Sequence, residues 1–405
     1  MTDEPDERAE AHGEGGDEPP EIAPGELHER LRAGEAVPVL DLRDRDEVEE
    51  WPIEGADAVQ VPYARAVQAQ VSGDVADLVE GLAEPVVVVC PVGEASAEVA
   101  GFLRDAGVAA SNLAGGMEAW ARLLVAHELD LDARGVAGPA RVVQYERPSS
   151  GCLSYLVHDG DVGAVVDPLR TFAGRYVADA DELDVELRYA VDTHVHADHF
   201  SGVRAVADRV DAEVVVPGGA RDRGLAFEAT TVADGDVLTV GAASLTALHA
   251  PGHTSEMTAF RVGAGGADGP PVLLSGDSLF VDGVARPDLE DASEAEAFAG
   301  TLYDTLHERL LALPGGTVVA PGHRGPSSTP AADGTFTARL DDLAADLEAL
   351  SLDRGAFVER ITADAPPRPS NHERIIEANL GRTAVDEAEA FELELGPNNC
   401  AATAD

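Results

Sequence analysis

The chain has 405 residues, enough for two domains with their own cores. Acidic residues number 76 against 28 basic ones, and the printed sequence contains no lysine, so the formal net charge is −48. Nucleic acid is excluded as an expected partner because there is no basic face to release counterions from phosphates. No apolar run approaches the roughly 20 residues that span a bilayer, so we expect no membrane partner either.

The charge and the cysteines together predict a compartment. Self-repulsion at this net charge would strain a compact fold in dilute buffer, whereas molar salt shortens the screening length to about 3 Å. Three cysteines are too few for a disulfide framework. With no basic, apolar leader at the start of the chain, we expect a salt-adapted cytoplasmic protein.

The N-terminal part divides into a tail and a first domain. Residues 1–20 are acidic and rich in Gly and Pro, which predicts a disordered tail. Residues 21–126 alternate helical and strand patterns and include the apolar run 86–89, which predicts a parallel sheet wrapped by helices. The segments 41–43, 90–96 and 115–120, the last reading GGMEAW, resemble a rhodanese domain.

Cys90 is the catalytic candidate of this domain. It ends a predicted parallel strand and precedes a helix that begins near Glu94, so backbone N–H groups and the positive end of the helix would favour a thiolate and then a persulfide. The alternative is a small buried hydrophobic residue. Ala95 stands where the family's active loop commonly has arginine, so an anionic donor such as thiosulfate would lose a cationic contact. We therefore expect sulfur transfer from a persulfide, or weak activity.

Residues 127–140 lose periodicity and carry Gly and Pro, which predicts a linker. Strand patterns then continue over 141–330 as a second domain. Residues 331–405 read mainly as a C-terminal helical extension.

A dense group of polar residues stands in the second domain, just after an apolar strand. The segment 190–202 holds three imidazoles and two carboxylates. Such groups gain little from one another in a partly dry site but gain strongly from a shared cation. A lone histidine would more often be an ordinary core or surface residue. Here His253, Asp277 and His323 follow on predicted loops at strand ends, so the pattern predicts a metal centre.

These motifs resemble those of the metallo-β-lactamase superfamily. The resemblance implies an αββα sandwich whose loops supply metal ligands from one edge. All of the ligand positions are present in this chain: His194, His196, Asp198, His199, His253, Asp277 and His323.

The resemblance leaves two metal arrangements open. In one, two zinc ions share all of these residues, with Asp277 bridging, and generate a hydroxide for thioester hydrolysis as in glyoxalase II. In the other, His194, His253 and Asp277 hold one Fe(II), a pattern suited to oxygen activation. The persulfide dioxygenase branch of the superfamily is built in this second way, with the remaining histidines and Asp198 as outer groups.

Two features favour the dioxygenase. Fusion to a rhodanese-like domain makes sulfane sulfur the shared substrate of both halves. The segment 276–289 is also similar to the GDxLFxxGxGRxD segment of that branch, in which arginine grips the carboxylate of the thiol carrier. The resemblance assigns this substrate-binding role to Arg286, although Ala285 replaces the preceding glycine.

The sequence thus predicts Fe(II)-dependent oxidation of a low-molecular-weight thiol persulfide by O2 to sulfite and thiol. Sulfane-sulfur transfer at Cys90 would be coupled to it, and Asp198 is a second catalytic candidate. The alternatives are a zinc-dependent hydroxyacyl-thioester hydrolase with an accessory rhodanese domain, and a non-catalytic sulfur-trafficking module. A homodimer is compatible with the sequence but not required by it.

Overall fold

The computed structural model describes residues 19–136, 138–264, 269–325, 327–363, 368–395 and 401–402. The chain divides into two compact units, residues 1–120 and 121–405. The predicted acidic tail lies outside the described residues up to position 18. Among the helices that the structure describes, none is long and apolar enough to cross a membrane.

The first unit is an α/β domain built on one parallel sheet. Its strands β1 to β5 are Glu21–Ile22, Pro38–Asp41, Asp57–Gln60, Val86–Val89 and Ala110–Leu113. Its helices α1 to α5 are Pro24–Arg32, Arg45–Glu50, Tyr63–Ser72, Glu94–Asp105 and Gly116–Ala121, with a 3-10 helix at Val75–Val79. The strands are parallel in the order β1-β5-β4-β2-β3. The predicted parallel sheet with flanking helices is confirmed, and β4 is buried along its whole length as expected of a central strand.

The second unit contains the remaining elements. Its strands β6 to β13 are Val125–Glu128, Arg141–Glu146, Leu153–Asp159, Val162–Val166, Glu186–Val191, Glu213–Pro217, Thr230–Val232 and Val237–Val240. Strands β14 to β20 are Ala243–His249, Thr258–Ala264, Val272–Gly276, Val284–Ala285, Val318–Pro321, Ala338–Arg339 and Ala401–Ala402. Helices α6 to α12 are Ala173–Glu182, Val203–Val210, Ala295–Thr305, Leu340–Asp346, Arg354–Ala363, His372–Asn379 and Glu387–Leu393. Shorter 3-10 and π helical turns are Arg170–Phe172, Gly218–Arg221, Ala292–Glu294, Leu306–Leu310 and Glu348–Ser351.

Most of these strands form two large sheets that pack face to face, and β17 and β20 pair in a separate two-stranded sheet. The orders are β12-β11-β10-β9-β8-β7-β6 and β13-β14-β15-β16-β18-β19. Apolar side chains from both sheets, such as Tyr155 and Phe260, share one core. Helices α6 and α7 cover the outer face of the first sheet, and α8 to α10 cover the second. The predicted αββα sandwich is confirmed.

The domain boundaries differ from those predicted. The first unit ends at residue 120, before the predicted end at 126 and the predicted linker over 127–140. The reason is that β6 pairs antiparallel with β7, which satisfies its backbone N–H and C=O groups in the second unit's sheet. The sandwich also extends beyond the predicted end at 330, because β19 pairs with β18 before the helical extension begins.

Parallel pairing gathers several loops at one edge. Strand β10 is parallel to β9 and β11, and β16 is parallel to β18. The carboxyl ends of strands that run in the same direction lie at the same edge of a sheet. The residues after β9, β10, β16 and β18 therefore lie where a site can form, as open α/β sheets commonly arrange.

Candidate metal centre and sulfur site

Three predicted ligands converge in the second unit: His194 after β10, His253 after β14 and Asp277 after β16. Their side chains are buried, and one ligand atom of each lies within 4.8 Å of the others. Asp277 Oδ2 lies 3.8 Å from His194 Nε2 and 3.7 Å from His253 Nε2. Both His194 Nε2 and Asp277 Oδ2 are buried without a hydrogen-bond partner among the described residues. Polar atoms buried in this way are costly unless an ion engages them, so the three residues fit a metal.

Hydrogen bonds orient both imidazoles towards Asp277. The Thr193 hydroxyl donates to Asp167 Oδ2 at 2.9 Å, and Thr193 Oγ1 also lies 2.9 Å from His194 Nδ1. Because the hydroxyl proton is used by Asp167, His194 Nδ1–H is the donor of the second bond and Nε2 keeps its lone pair. His253 Nδ1 likewise donates to Arg286 O at 2.9 Å. Each ring therefore presents the tautomer that a metal requires.

The charge states of these three groups also suit a cation. Burial, together with nearby His196 and His253, holds the pKa of His194 well below its ordinary value. Burial also lowers the pKa of His253, against the opposing effect of Asp277. Burial alone would raise the pKa of Asp277, but His323 and His253 outweigh it and lower the value. Two neutral imidazoles and a carboxylate are the protonation states of metal ligands.

A glycine allows Asp277 to reach this position. Gly276 has a φ of 49°, and a Cβ there would lie 2.1 Å from Met257 Cε and 2.8 Å from Thr193 Oγ1. Only glycine fits this left-handed, crowded turn without displacing Thr193, which orients His194. The close packing around the candidate ligands therefore explains why a glycine precedes Asp277.

His196 takes a different set of neighbours. Its Nε2 lies 3.2 Å from Asp167 Oδ1 and 3.7 Å from Asp192 Oδ1, while its Nδ1 has no partner among the described residues. Burial and His199 would lower the pKa of His196, but Asp167 outweighs both and raises it to about 9. Asp167 thus favours the protonated form of His196, whose ring centroid lies 4.1 Å from that of His194 in the first group.

The other predicted ligands form a second group that includes a residue the sequence did not identify. Asp198, His199 and His323 gather with Cys152, and all four side chains are buried. Burial would lower the pKa of His199, but Asp198 raises it well above its ordinary value. The pKa of Asp198 is held far below its ordinary value by His199 and His323, against the effect of burial. Cys152 precedes β8 without any spacing pattern that could have marked it.

Two side chains from the C-terminal helices hold the ligand loop. Asn379 Nδ2 donates to the carbonyl oxygens of His196 at 3.0 Å and His199 at 2.8 Å, and its Oδ1 accepts from Ser201 N at 2.9 Å. Glu394 Oε1 accepts from Phe200 N at 2.7 Å. Sequence reasoning missed both residues, because a single buried polar side chain on a helix carries no local signal. The helical extension is therefore part of the site.

Arg286, the predicted carboxylate-binding residue, is buried beside the first group. Its Nε and Nη2 donate to the two oxygens of Asp288 at 2.7 and 2.9 Å, and Arg368 Nε donates to Asp288 Oδ2 at 3.3 Å. Its backbone carbonyl accepts from the metal-ligand candidate His253. Its role in substrate binding stays a prediction, since a substrate carboxylate would compete with Asp288 for the guanidinium.

The sulfur site of the first unit surrounds Cys90 at the end of β4. Two backbone groups donate to Cys90 Sγ: Gly93 N at 3.1 Å and Ser96 N at 3.4 Å. Ser96 Oγ lies 3.1 Å from the same sulfur, and its proton goes to Asn112 Oδ1 at 2.7 Å. The thiol is 2% exposed and lies beside the first turn of α4. Donors aimed at one sulfur stabilise negative charge on it. The predicted N–H cradle is thus present, and Ser96 is a donor that the sequence analysis did not identify.

The GGMEAW motif forms main-chain hydrogen bonds with the loop that carries Cys90. Met117 N donates to Cys90 O at 3.0 Å, and Glu118 N donates to Pro91 O at 2.9 Å. Gly116 has a φ of 60°, and a Cβ there would lie 2.3 Å from Cys90 O and 2.6 Å from Gly93 N. Only glycine permits this approach, so the motif acts by fixing the backbone of the Cys90 loop.

Comparison with known proteins identifies the families of both domains. Residues 23–123 match the model of the rhodanese-like domain, and residues 148–323 match that of the metallo-β-lactamase superfamily. Human mitochondrial persulfide dioxygenase ETHE1 is 29% identical over 199 residues, which are 48% of this chain and 72% of that protein. The hydroxyacylglutathione hydrolase of Methylococcus capsulatus is 31% identical over 247 residues, which are 58% of this chain and 90% of that protein.

A solved structure supports the same assignment. The crystal structure of a metallo-beta-lactamase from Staphylococcus aureus subsp. aureus COL superimposes with a TM-score of 0.55 at 28% identity, and covers 62% of this chain and 75% of that one. The superfamily match spans the candidate ligand residues from His194 to His323. The chain therefore belongs to the metallo-β-lactamase superfamily and carries a rhodanese-like domain at its N-terminus.

Proposed function

We propose that this chain oxidises a low-molecular-weight thiol persulfide to sulfite and thiol, using O2 and one Fe(II) held by His194, His253 and Asp277. The observation that carries this proposal is the convergence of these three buried ligand atoms, two of them without any other partner among the described residues. Two imidazoles and one carboxylate on one side of an ion leave its other positions open. Homology to ETHE1 persulfide dioxygenases agrees with this choice.

The protein groups have separable tasks in this reaction. Bound iron supplies the redox chemistry by which O2 and a sulfane sulfur react. Asp277 supplies the negative charge of the ligand set, and Arg286 O fixes the tautomer of His253. Burial of all three ligands excludes bulk water from the protein side of the site. Asp198, hydrogen-bonded to His323, is the catalytic candidate that lies outside the iron ligands.

The reaction uses one persulfide, one O2 and one water. The terminal sulfur of the persulfide is oxidised and leaves as sulfite, O2 is reduced, the carrier leaves as thiol, and protons are released. Cys90 handles the sulfane sulfur in the first unit, either by loading the persulfide beforehand or by joining sulfite to a second sulfane sulfur as thiosulfate. The acidic, lysine-free composition supports a salt-adapted cytoplasm as the compartment of this proposed chemistry.

A second candidate function is zinc-dependent hydrolysis of a hydroxyacyl thioester. Its support is the second group of ligand residues around Asp198, together with relatives named hydroxyacylglutathione hydrolase. In that case two zinc ions would share the ligands and generate a hydroxide. His196 would then have to leave Asp167 and join a metal, although its Nε2 is engaged by that carboxylate in the structure.

The two functions are separated by loading the metal-free chain with iron or with zinc. Each form is assayed anaerobically and in air with the persulfides of glutathione, γ-glutamylcysteine and coenzyme A, and with their acyl thioesters. We expect the iron form to consume O2 and release sulfite from at least one persulfide. Thioester cleavage by the zinc form, with no oxygen uptake by the iron form, would instead establish the hydrolase.

A further inference from the structure

We propose that Glu21 and Asn112 are positioning residues for Cys90, because together they set the direction in which the Ser96 hydroxyl donates its proton. This direction turns a serine lone pair, and not the serine proton, towards the sulfur. The proposal rests on the proposed function for the sulfur-carrier role of Cys90. The hydrogen-bond relay of Glu21, Asn112 and Ser96 stands on the geometry of the first unit.

The relay begins at a carboxylate on an edge strand of the sheet. Glu21 in β1 stands opposite Asn112 in the parallel strand β5, and Glu21 Oε1 accepts from Asn112 Nδ2 at 3.1 Å. A carboxylate has no proton to donate, so it can face only the NH2 group of the amide. The side-chain oxygen of Asn112 is therefore left to face Ser96 in α4.

Asn112 passes this orientation on to Ser96. Ser96 Oγ lies 2.7 Å from Asn112 Oδ1 and 3.1 Å from Cys90 Sγ. The amide oxygen only accepts, so the hydroxyl proton goes to Asn112, and a lone pair of Ser96 Oγ faces the sulfur. Ser96 and Asn112 are both buried, so bulk water does not replace either partner. The Cys90 thiol, a weak donor, is then the group that donates in its contact with Ser96.

Loading of sulfane sulfur changes this contact. Cys90 Sγ bonds to the terminal sulfur of a small-molecule persulfide, the old S–S bond breaks, and the released thiolate takes up the proton that Cys90 loses, with no net oxidation. The loaded Sγ has no proton, so it faces a serine lone pair. The Ser96 hydroxyl can turn to donate to it only by leaving Asn112 Oδ1 buried without a partner, which is costly.

The relay therefore favours release of the sulfane sulfur over its retention. The N–H groups of Gly93 and Ser96 donate to the sulfur and stabilise negative charge on it. The serine hydroxyl, directed by Asn112, instead favours the unloaded thiol. A carrier has to hand on its sulfur as well as accept it, and the relay supplies the bias towards handing it on.

Alkylation of Cys90 by iodoacetamide tests the relay in Glu21→Gln without any persulfide. Glutamine can present an NH2 group to Asn112, so that amide can turn and the Ser96 hydroxyl can donate to the sulfur. One more donor of ordinary strength raises the thiolate fraction about fivefold, and the lower nucleophilicity of the stabilised thiolate offsets part of this gain. At a pH where the thiol dominates, we expect alkylation to be roughly two- to threefold faster than in wild type.

Two further variants separate the relay from the charge of Glu21. Glu21 is exposed, and Glu26→Gln, at an exposed residue of α1 with the same change of charge, should react as wild type. In Ser96→Ala, whose folding is checked by thermal unfolding, Glu21→Gln should no longer change the alkylation rate. Mass spectrometry of the peptide that carries Cys90 follows each reaction. Equal acceleration with and without the serine hydroxyl, or no acceleration by Glu21→Gln in the wild-type chain, would overturn the proposal.

Persulfide release separates this proposal from the proposed function. Chains loaded with glutathione persulfide are freed of reagent, and intact mass follows the loss of the added sulfur to glutathione. We expect Glu21→Gln to release it up to about fivefold more slowly than wild type. Equal release would overturn the bias towards handing on. A wild-type chain that never takes up sulfur, with faster alkylation in Glu21→Gln, would refute the carrier role of Cys90 and leave the relay standing.

Discussion

The sulfur site of the first unit and the metal centre of the second are built from different parts of the chain. Around Cys90, two backbone N–H groups point at a single sulfur atom, and the loop is fixed by main-chain hydrogen bonds to the GGMEAW segment. In the candidate metal centre, side chains from several distant loops supply the candidate ligands, and His194 Nε2 and Asp277 Oδ2 lack partners among the described residues.

This difference determines how each site responds to change. Backbone donors persist when side chains are substituted, so the Cys90 cradle depends mainly on its glycines and on the cysteine itself. Each buried polar atom without a partner destabilises the fold by roughly 1–3 kcal/mol. We therefore expect the candidate metal centre to depend on a bound ion, so that metal removal destabilises the second unit but not the first.

The largest effect is expected from Asp277→Ala. This change removes one of three ligands, so we expect loss of iron from the chain and a fall in oxygen uptake beyond the roughly 10–100-fold seen when an outer partner is removed. Metal analysis and an oxygen electrode measure both. The control is His249→Ala, whose ring Nε2 lies 3.1 Å from the backbone oxygen of Ser255 and outside the ligand set. An equal loss in this variant would point to general damage.

Cys90→Ser should separate the two sites. We expect persulfide loading of the chain to disappear, since the serine hydroxyl is not a sulfur carrier, while oxygen uptake with a supplied small-molecule persulfide is unchanged. Mass spectrometry of the intact chain follows the loading. Cys400→Ser, at a cysteine with no predicted role, should behave as wild type. Loss of oxygen uptake in Cys90→Ser would show that the metal centre draws on this thiol.

Asn379→Ala tests whether the C-terminal helices support the ligand loop. The change leaves two carbonyl groups and one amide of the loop without a partner, so we expect the free energy of unfolding to fall by roughly 2–4 kcal/mol, with weaker metal binding. The control is Asn371→Ala, which removes one hydrogen bond, to Leu393 O. This change should lower the free energy of unfolding by about 1 kcal/mol. Equal effects of the two changes would contradict a specific role for Asn379.

The smallest effect concerns the pH dependence of the metal-free protein. Burial and His199 oppose protonation of His196, but Asp167 raises its pKa to about 9, above the roughly 6.5 of an unfolded histidine. The pairing of His196 with Asp167 therefore stabilises the folded state fully below about pH 6.5, and this stabilisation is lost as the pH rises through 9. Denaturant unfolding at several pH values should show this decline, and His196→Gln should flatten it. Parallel curves would show that Asp167 does not hold this proton.

Much of this organisation could be predicted from the sequence because it depends on local patterns. The apolar run at 86–89, the GGMEAW segment and the closely spaced ligands after β10 each carry their meaning within a few residues. Asp277 and His323 could be added because each follows an apolar strand and a glycine. These signals also sufficed for both fold classes, which the sheet orders confirm.

The remainder depends on contacts between distant parts of the chain. Cys152 meets His323 through a bridge across more than a hundred residues, and Asn379 meets the ligand loop from the far end of the chain. The boundary near residue 120 was missed because β6 gains its partners only from β7, and its own residues show no alternating burial. Such features require the tertiary structure, because no local pattern encodes the partner.

The most direct test of the account is oxygen uptake measured against iron content. Metal-free chain is loaded anaerobically with increasing iron, and both quantities are measured on each sample with a thiol persulfide in concentrated salt. The account predicts that uptake rises in proportion to iron, reaches its maximum at one iron per chain, and yields one sulfite for each O2 consumed. A maximum that requires two irons per chain, or uptake without sulfite, would contradict a single iron at His194, His253 and Asp277.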